Sequence, residues 1–319
     1  MKFSFEHMKN ETAAKLVGSG VPAAQAETVA DVMTTADLYG VTTHGAAILD
    51  AHIKRVERGG YNLQPAFPIL RQTAAFAVVD GDNSFGFVSA SHCMALAVER
   101  AKESGIYQVF SKNNNTFGPA FYYPLQAAKQ GFIGLIFSNS PAQMPPSGGK
   151  EKILGTNPFA AVIPVPGQEP IIIDMASSVV AKSKFNEFKN AGKPLPEGWA
   201  LDKNGIPTTD PEEAIAGLVL PMGGHKGYCI AMLIDVLAGV LSGAAYLNKI
   251  GRFYSPDGNG MDVGFCCIAI DPYAVLGDDY DARIQDFVKT IRSSEPVEGN
   301  TISLPGDREH LAKKKNSEV

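Results

Sequence analysis

Apolar and polar positions follow two different periods along this chain, and the change of period divides it. In the first part Val29, Met33 and Ala36 recur at helical spacing, with Pro22 at a first-turn position and Gly40 as terminator. A second helix is predicted over residues 46–57, closed by Gly59 and Gly60. From residue 75 short apolar runs bounded by turn residues take over. They predict strands at 75–80, 106–110, 132–137, 159–163, 171–174 and 263–270, with helices at 88–103 and 120–129. Residues 190–211 read as one long polar loop with four prolines (Pro194, Pro196, Pro207, Pro211), a kind of segment that in compact proteins is usually functional or interface-forming. Strands mixed with helices predict an α/β or α+β fold.

Residues 228–247 are apolar for nearly the length of a membrane span. Asp235 stands in the middle, where a charge would be costly in a bilayer, and Gly239 and Gly243 lie four apart. The stretch therefore reads as a helix buried all round in a protein without membrane spans. The tail from Lys313 to Glu318 is charged and reads as a frayed end.

Composition narrows the function classes. A chain of 319 residues with 45% hydrophobic content can bury a sizeable core. The net charge of −5 and the lack of a basic stripe argue against nucleic acid as a partner. Four cysteines (Cys93, Cys229, Cys266, Cys267) form no C-x-x-C pair, and Cys266 and Cys267 fall in an apolar run. The expectation is a reduced, cytoplasmic protein; the opening residues contain no apolar run of a signal peptide. No clustered His/Cys set suggests a metal.

The most informative stretch is Pro221-Met222-Gly223-Gly224-His225-Lys226-Gly227-Tyr228, which opens the apolar helix. Small residues allow close backbone approach, and free N–H groups at a helix start favour an anion such as a phosphate. The spacing is neither the Rossmann G-x-G-x-x-G nor the P-loop, and a plain turn is the competing reading.

Further motifs occur in a fixed order: Thr43-His44-Gly45, Gly155-Thr156-Asn157-Pro158, Asp174-Met175-Ala176-Ser177, Pro196-Glu197-Gly198-Trp199-Ala200, Gly205 to Pro211, Gly224-His225-Lys226-Gly227 and Pro305-Gly306-Asp307. Together, over nearly the whole chain, they resemble the malate/L-lactate/sulfolactate dehydrogenase family, which includes ureidoglycolate dehydrogenase, diketogulonate reductase and piperideine-carboxylate reductase. The resemblance implies a non-Rossmann fold with a large mixed, mostly antiparallel sheet. It implies a helical region over residues 1–60 carrying the Thr-His pair, entwined with a cofactor-binding sheet region over 61–319 as one domain. It also implies a homodimer, a small-molecule substrate, and hydride transfer between NAD or NADP and a 2-hydroxy/2-oxo acid. The alternatives are a cyclic ketimine reductase and a nucleotide-binding protein without turnover.

By the same resemblance His44 is the acid/base with Thr43 as its hydroxyl partner, and Lys184 reaches the substrate, while Lys182 reads as solvated. Thr116, Phe117, Gly118, Thr156, Asn157, Asp174, Met175, Ala176, His225, Lys226, Gly306 and Asp307 fall at cofactor positions, each with a turn or scaffold role as the competing reading. A carboxylate at Asp174 near a ribose slightly favours NAD over NADP. Two positions depart from the family pattern. Thr116 replaces a histidine, and Ile48 replaces an arginine that clamps a carboxylate; both are expected at the substrate pocket.

Overall fold

The computed structural model describes residues 3–255 and 259–317. The chain begins with α1 (Phe5–Gly18) and α2 (Ala23–Leu38), then 3₁₀ turns at Thr42–His44 and Ala46–Ile48, then α3 (Leu49–Glu57). Ser4 caps α1 by accepting from His7 N, and Pro22 occupies the N-cap of α2, where its missing N–H costs nothing. The segment 46–57 is thus two pieces instead of one helix. Asp37 accepts the Ala46 N–H at 2.8 Å and holds the first piece to the end of α2.

There follow β1 (Ile69–Gln72), β2 (Phe76–Asp80), α4 (Gly86–Ser104), β3 (Ile106–Asn114), α5 (Tyr122–Ala128) and β4 (Ile133–Ser138). Then come β5 (Ala142–Met144), β6 (Leu154–Gly155), β7 (Pro158–Ile163), β8 (Ile171–Ala176) and α6 (Ser183–Asn190). β9 (Ala200–Leu201), β10 (Pro207–Thr208), α7 (Pro211–Ala216), β11 (Leu218–Val219) and α8 (His225–Asp235) continue the chain. It closes with β12 (Val263–Ile270), α9 (Pro272–Leu276), α10 (Asp279–Arg292) and α11 (Asp307–Ser317).

Seven strands form one sheet in the order β1-β2-β3-β12-β4-β7-β8, antiparallel throughout except for the parallel pair β2–β3 that α4 connects. β12 sits at its centre because its run Val-Gly-Phe-Cys-Cys-Ile-Ala-Ile is apolar on both faces, as a strand covered on both sides must be. Cys266 and Cys267 are fully buried in it. On one face Phe265, Cys267 and Ala269 join a core that also takes in Leu16, Val29 and Met33 of the N-terminal helices and Cys93, Met94 and Ala97 of α4. The helical region and the sheet therefore share one core. On the other face Gly264 lets the backbone of Ala238 approach closely.

Three further expectations are corrected. The polar loop at 190–211 is partly sheet: β9, β10 and β11 form a small antiparallel unit in the order β10-β9-β11. Phe185, Leu195, Ala200 and Val219 give that unit its own apolar cluster, which is why the prolines there do not mark an unstructured loop. The apolar helix is not buried all round. It is α8 followed by one π-helical turn, Val236–Val240, and Met232, Leu233, Val236, Val240 and Leu241 are each 41–57% exposed. Among the described residues no helix is long and apolar enough to cross a membrane. Finally, the charged tail is the helix α11 as far as Ser317. Lys313 pairs with Glu169 at 2.9 Å, and the Asn316 amide donates to the carbonyls ending α2.

Candidate active site

The sheet register explains where a site can form. Asn114 of β3 lies opposite Val263, Ser138 of β4 opposite Phe265, and Pro158 of β7 opposite Ala176. The ends of β3, β4 and β8 and the starts of β7 and β12 are therefore on one edge of the sheet. Their connecting segments enclose a cavity of about 550 Å³, which α11 and the Thr42–His44 turn also help to wall.

Of the residues singled out in the sequence, Thr43, His44, Thr116, Phe117, Gly118, Thr156, Asp174, Met175 and Ala176 line this cavity. Three asparagines, of which Asn114 and Asn115 are fully buried, hold the Thr116 segment in place. Asn113, at φ 55°, donates through its side chain to Asp80, and Asn114 donates to Val263 O. Asn115 accepts from Arg55 at 3.0 Å and donates to Ser84 O at 2.9 Å. His44 is pinned from the other side, because Gly45 lies so close to Asp37 that a Cβ would sit 1.9 Å from its Oδ1. His44 is exposed on the cavity wall, and desolvation by the protein around it lowers its pKa below the usual 6.5. No hydrogen bond joins Thr43 to His44 among the described residues.

Asp174 faces the same space. Its Oδ2 accepts from Phe121 N at 3.0 Å. Asp174 is exposed on the cavity wall, and desolvation by the protein around it, opposed by that hydrogen bond and aided by nearby Glu309, pushes its pKa up to about 6. Glu309, on α11, is the second carboxylate on the cavity wall.

A stability consequence follows from Asp174. Its native pKa is raised from 3.8, so between about pH 4 and 6 the native state binds more protons than the unfolded chain, and stability falls as pH rises through that window. Asp174→Asn keeps an acceptor for Phe121 N and removes the ionisation. The melting temperature of the variant relative to wild type is expected to rise from pH 4 to 6 and stay higher above. A calorimetric pH series showing the opposite trend would refute this account of the carboxylate.

The remaining candidates lie elsewhere. Lys184 is exposed and paired with Glu187 at 2.6 Å. Ile48 packs against the main core and does not line the cavity. Asn157 is fully buried; it accepts from Ser140 N and donates to Ala231 O, tying the start of β7 to the Ser140 segment and to α8. His225 and Lys226 are exposed at the start of α8, after Gly223 and Gly224 at φ 57° and 61°. Gly306 packs against Ile172 where a Cβ would sit 2.8 Å from its backbone nitrogen, and Asp307 takes a two-pronged bond from Arg292 while accepting from Leu304 N. That turn sets the start of α11 and so delivers Glu309 to the cavity.

Sequence reading took Lys182 as solvated and passed over Glu309 and the segment Ser138-Asn139-Ser140-Pro141; all of them line the cavity, and Lys182 is held there by Gln143 and Gly217 O. The last had a signal: a polar run directly after an apolar strand, where loops at a sheet end gather. Asn139 is held by Asp235, which is 3% exposed; its amide donates to Asp235 at 3.1 Å and to Ala245 O at 2.8 Å, while its carbonyl accepts from Gly264 N. Among the described residues no group of three or more His, Cys, Asp or Glu is placed to hold a metal.

Comparison with known proteins agrees with this arrangement. The chain is 38% identical over 301 residues to L-sulfolactate dehydrogenase of Methanocaldococcus jannaschii, covering 94% of this chain and 86% of the relative. It is 32% identical over 317 residues to the ureidoglycolate dehydrogenase (NAD(+)) of Escherichia coli K12, covering 99% and 90%. The structure of delta1-piperideine-2-carboxylate reductase from Pseudomonas syringae superposes with a TM-score of 0.91 at 25% identity, covering all of this chain and 95% of that one. The fold is thus that of these dehydrogenases and reductases, distinct from the Rossmann type. A family model described as malate/L-lactate dehydrogenase matches residues 3–319, so the chain belongs to the malate/L-lactate dehydrogenase family and is an oxidoreductase acting on CH–OH groups.

Proposed function

We propose that the protein transfers a hydride between a nicotinamide cofactor and a small 2-hydroxy/2-oxo acid, with His44 as the acid/base. The observation that carries this reading is the joint placement of His44, Asp174 and Thr116 on one cavity at the sheet edge. The cavity suits a nicotinamide group. Phe117, Pro141, Met175, Met261 and Val263 offer apolar surface for a ring, Ser140 and Gln143 offer polar groups for an amide, and Asp174 offers a carboxylate for a ribose hydroxyl. The hydroxyl of Ser177, directly after Ala176, is buried with no hydrogen-bond partner among the described residues. Asp174 and Glu309 stand at the nicotinamide end of the site, whereas NADP carries its 2'-phosphate on the adenine ribose, so this reading takes either NAD or NADP as the cofactor.

When bound, the reduced cofactor supplies a hydride to the carbonyl carbon. His44 then supplies the proton that the developing alkoxide oxygen takes, and in the reverse direction it accepts the hydroxyl proton. Its lowered pKa leaves the imidazole neutral at neutral pH, ready to act as base in oxidation. A substrate carboxylate beside it raises that pKa again and favours the acid form needed for reduction. Thr116, Phe117 and Gly118 close the cavity wall around the reacting atoms.

Cyclic imino acids are the second reading, favoured by the likeness to the piperideine-carboxylate reductase. The test is a panel of 2-oxo acids, cyclic imines and neutral ketones, each assayed with NADH and with NADPH. Binding of neither cofactor at millimolar concentration, read by fluorescence and melting temperature, would exclude the reading.

The reading includes a homodimer in a reducing compartment. The exposed stripe Met232, Leu233, Val236, Val240 and Leu241 lies on one face of a continuous helical segment and supports a second copy as its cover. The four free cysteines support the compartment. Leu233→Glu is expected to shift the sedimentation of the protein from two chains to one. A wild type that sediments as a single chain at micromolar concentration removes the dimer.

A further inference from the structure

Every lysine that the structure ion-pairs has a carboxylate partner: Lys9 with Asp31, Lys102 with Glu99, Lys184 with Glu187, Lys189 with Glu212 and Lys313 with Glu169. Two lysines beside the cavity are arranged differently. Lys182 Nζ donates to Gln143 Oε1 at 3.0 Å and to Gly217 O at 3.2 Å. Lys152 Nζ donates to Ala216 O at 3.2 Å. The two ammonium groups hang from consecutive carbonyls, so like charges are brought side by side. Among the described residues no carboxylate lies within ion-pair distance of either.

Lys182 is also the one lysine or arginine among the residues that line the cavity; the other charged or titratable groups there are His44, Asp174 and Glu309. A 2-oxo acid entering this space brings a carboxylate, and both fixed carboxylates repel it. We propose that Lys182, with Lys152 behind it, holds the carboxylate of the substrate and so sets the preference of this enzyme for anionic substrates. The assignment rests on the hydroxy/oxo-acid reading above and adds the residue that reads the acid.

The chemistry fits the geometry. Of the three N–H groups of Lys182, two go to neutral acceptors and one is left for an anion. Glutamine and carbonyl partners orient the ammonium without neutralising it, so its charge stays available. Burial and the adjacent Lys152 push the Lys182 pKa down to about 8, which is the cost of holding a cation there with no counter-ion. An arriving carboxylate reverses both effects. Arginine at this place would keep the charge but exchange a point charge for a fork.

Oxalate, which presents the same paired carboxyl oxygens as a 2-oxo acid, is the probe. Its affinity is measured by calorimetry on the full chain, with and without NADH. Lys182→Met keeps the apolar stem and is expected to weaken oxalate about 30-fold or more, the loss of a charge-assisted hydrogen bond. Lys152→Met is expected to weaken it several-fold, and Lys184→Met not at all. In wild type the dissociation constant of oxalate is expected to rise about tenfold per pH unit above the Lys182 pKa, as the ammonium is lost. Lys182→Arg should flatten that alkaline limb, which a merely structural lysine would not do. The charged groups facing Lys182 are Lys152 on the segment before β6 and, across the cavity, His44, Asp174 and Glu309. Neither Asp174, which titrates near 6, nor His44, which titrates below 6.5, carries the alkaline limb.

Lys182→Met binding oxalate as wild type does would overturn the assignment. So would a wild type that binds NADH but no oxalate at millimolar concentration. A Lys182→Met variant that loses NADH and keeps oxalate would also overturn it, moving the lysine to a cofactor phosphate. Failure of wild type to bind either nicotinamide is a different outcome: it removes the dehydrogenase reading, while oxalate without cofactor still reports on the lysine pair.

Discussion

His44→Ala is expected to lower turnover by about 10²–10⁴-fold while cofactor affinity stays within about twofold of wild type. The loss is of proton transfer and not of binding, because among the described residues the His44 side chain makes no hydrogen bond to the rest of the cavity, and its turn is held by Asp37 through Ala46 N and the close packing of Gly45. Steady-state turnover and a fluorescence titration with NADH separate the two effects. The pH profile adds a second reading. For oxidation, kcat/KM of wild type is expected to fall on the acid side through the His44 pKa, which desolvation places below 6.5, and the variant should lose that limb. Thr116, across the cavity, cannot take over, since a hydroxyl does not titrate near neutral pH. Near-normal turnover in the variant would therefore leave the acid/base role to a water or to Lys182.

The sheet was legible in the sequence wherever apolar runs are long. The segment 263–270 was expected as a buried strand and is β12 with those bounds, because eight residues apolar on both faces fit only a covered central strand. The strands at 75–80 and 159–163 shift by one residue at their starts and that at 132–137 by one residue at both ends, the scatter that end fraying allows. Two-residue strands such as β9 and β10 have no period to read, so the proline-containing segment around them looked like a loop. The exposed face of α8 was illegible for another reason. Apolar content says that a helix wants cover, not whether its own chain supplies it.

The site divides in the same way. His44, Asp174 and Thr116 sit at ends of elements that converge, and their motifs located them. The sequence ranked Lys184 above Lys182, and the structure puts Lys182 and not Lys184 on the cavity, since the answer depends on where α6 starts. Lys182 falls at its N-cap and turns inward, while Lys184, one residue into the helix, meets Glu187 one turn on. Asn157 and Asp307 belong to motifs but act through their backbone neighbours. Amides and carboxylates that satisfy buried N–H groups look the same in sequence as those that touch a ligand.

Gly264→Ala is expected to destabilise the protein by about 3 kcal/mol or more and to weaken cofactor binding with it. A Cβ built at Gly264 would sit 1.6 Å from Ala238 O, 2.6 Å from Ala238 C and 2.8 Å from Ser242 Oγ. The first two are backbone atoms of the π-helical turn, so no side-chain rotation relieves the clash. Either β12 or the turn must move. β12 is fixed by ladders to β3 and β4 on its two sides, so the turn is the part that yields. That turn follows Asp235, whose carboxylate holds Asn139 at the cavity wall, and Gly264 N itself donates to Asn139 Oδ1 at 2.9 Å. One methyl group therefore disturbs the sheet centre, the turn and the cavity wall together. Gly18→Ala is the control: it lies at the end of α1 with nothing within 4 Å of an added Cβ, and a helical alanine there should leave stability unchanged or slightly raised. Thermal unfolding of both variants with and without NADH measures the two effects. A Gly264→Ala protein that melts with wild type would mean that the π-helical turn packs less closely on β12 than described, and the link from Asp235 through Asn139 to the cavity would lose its support.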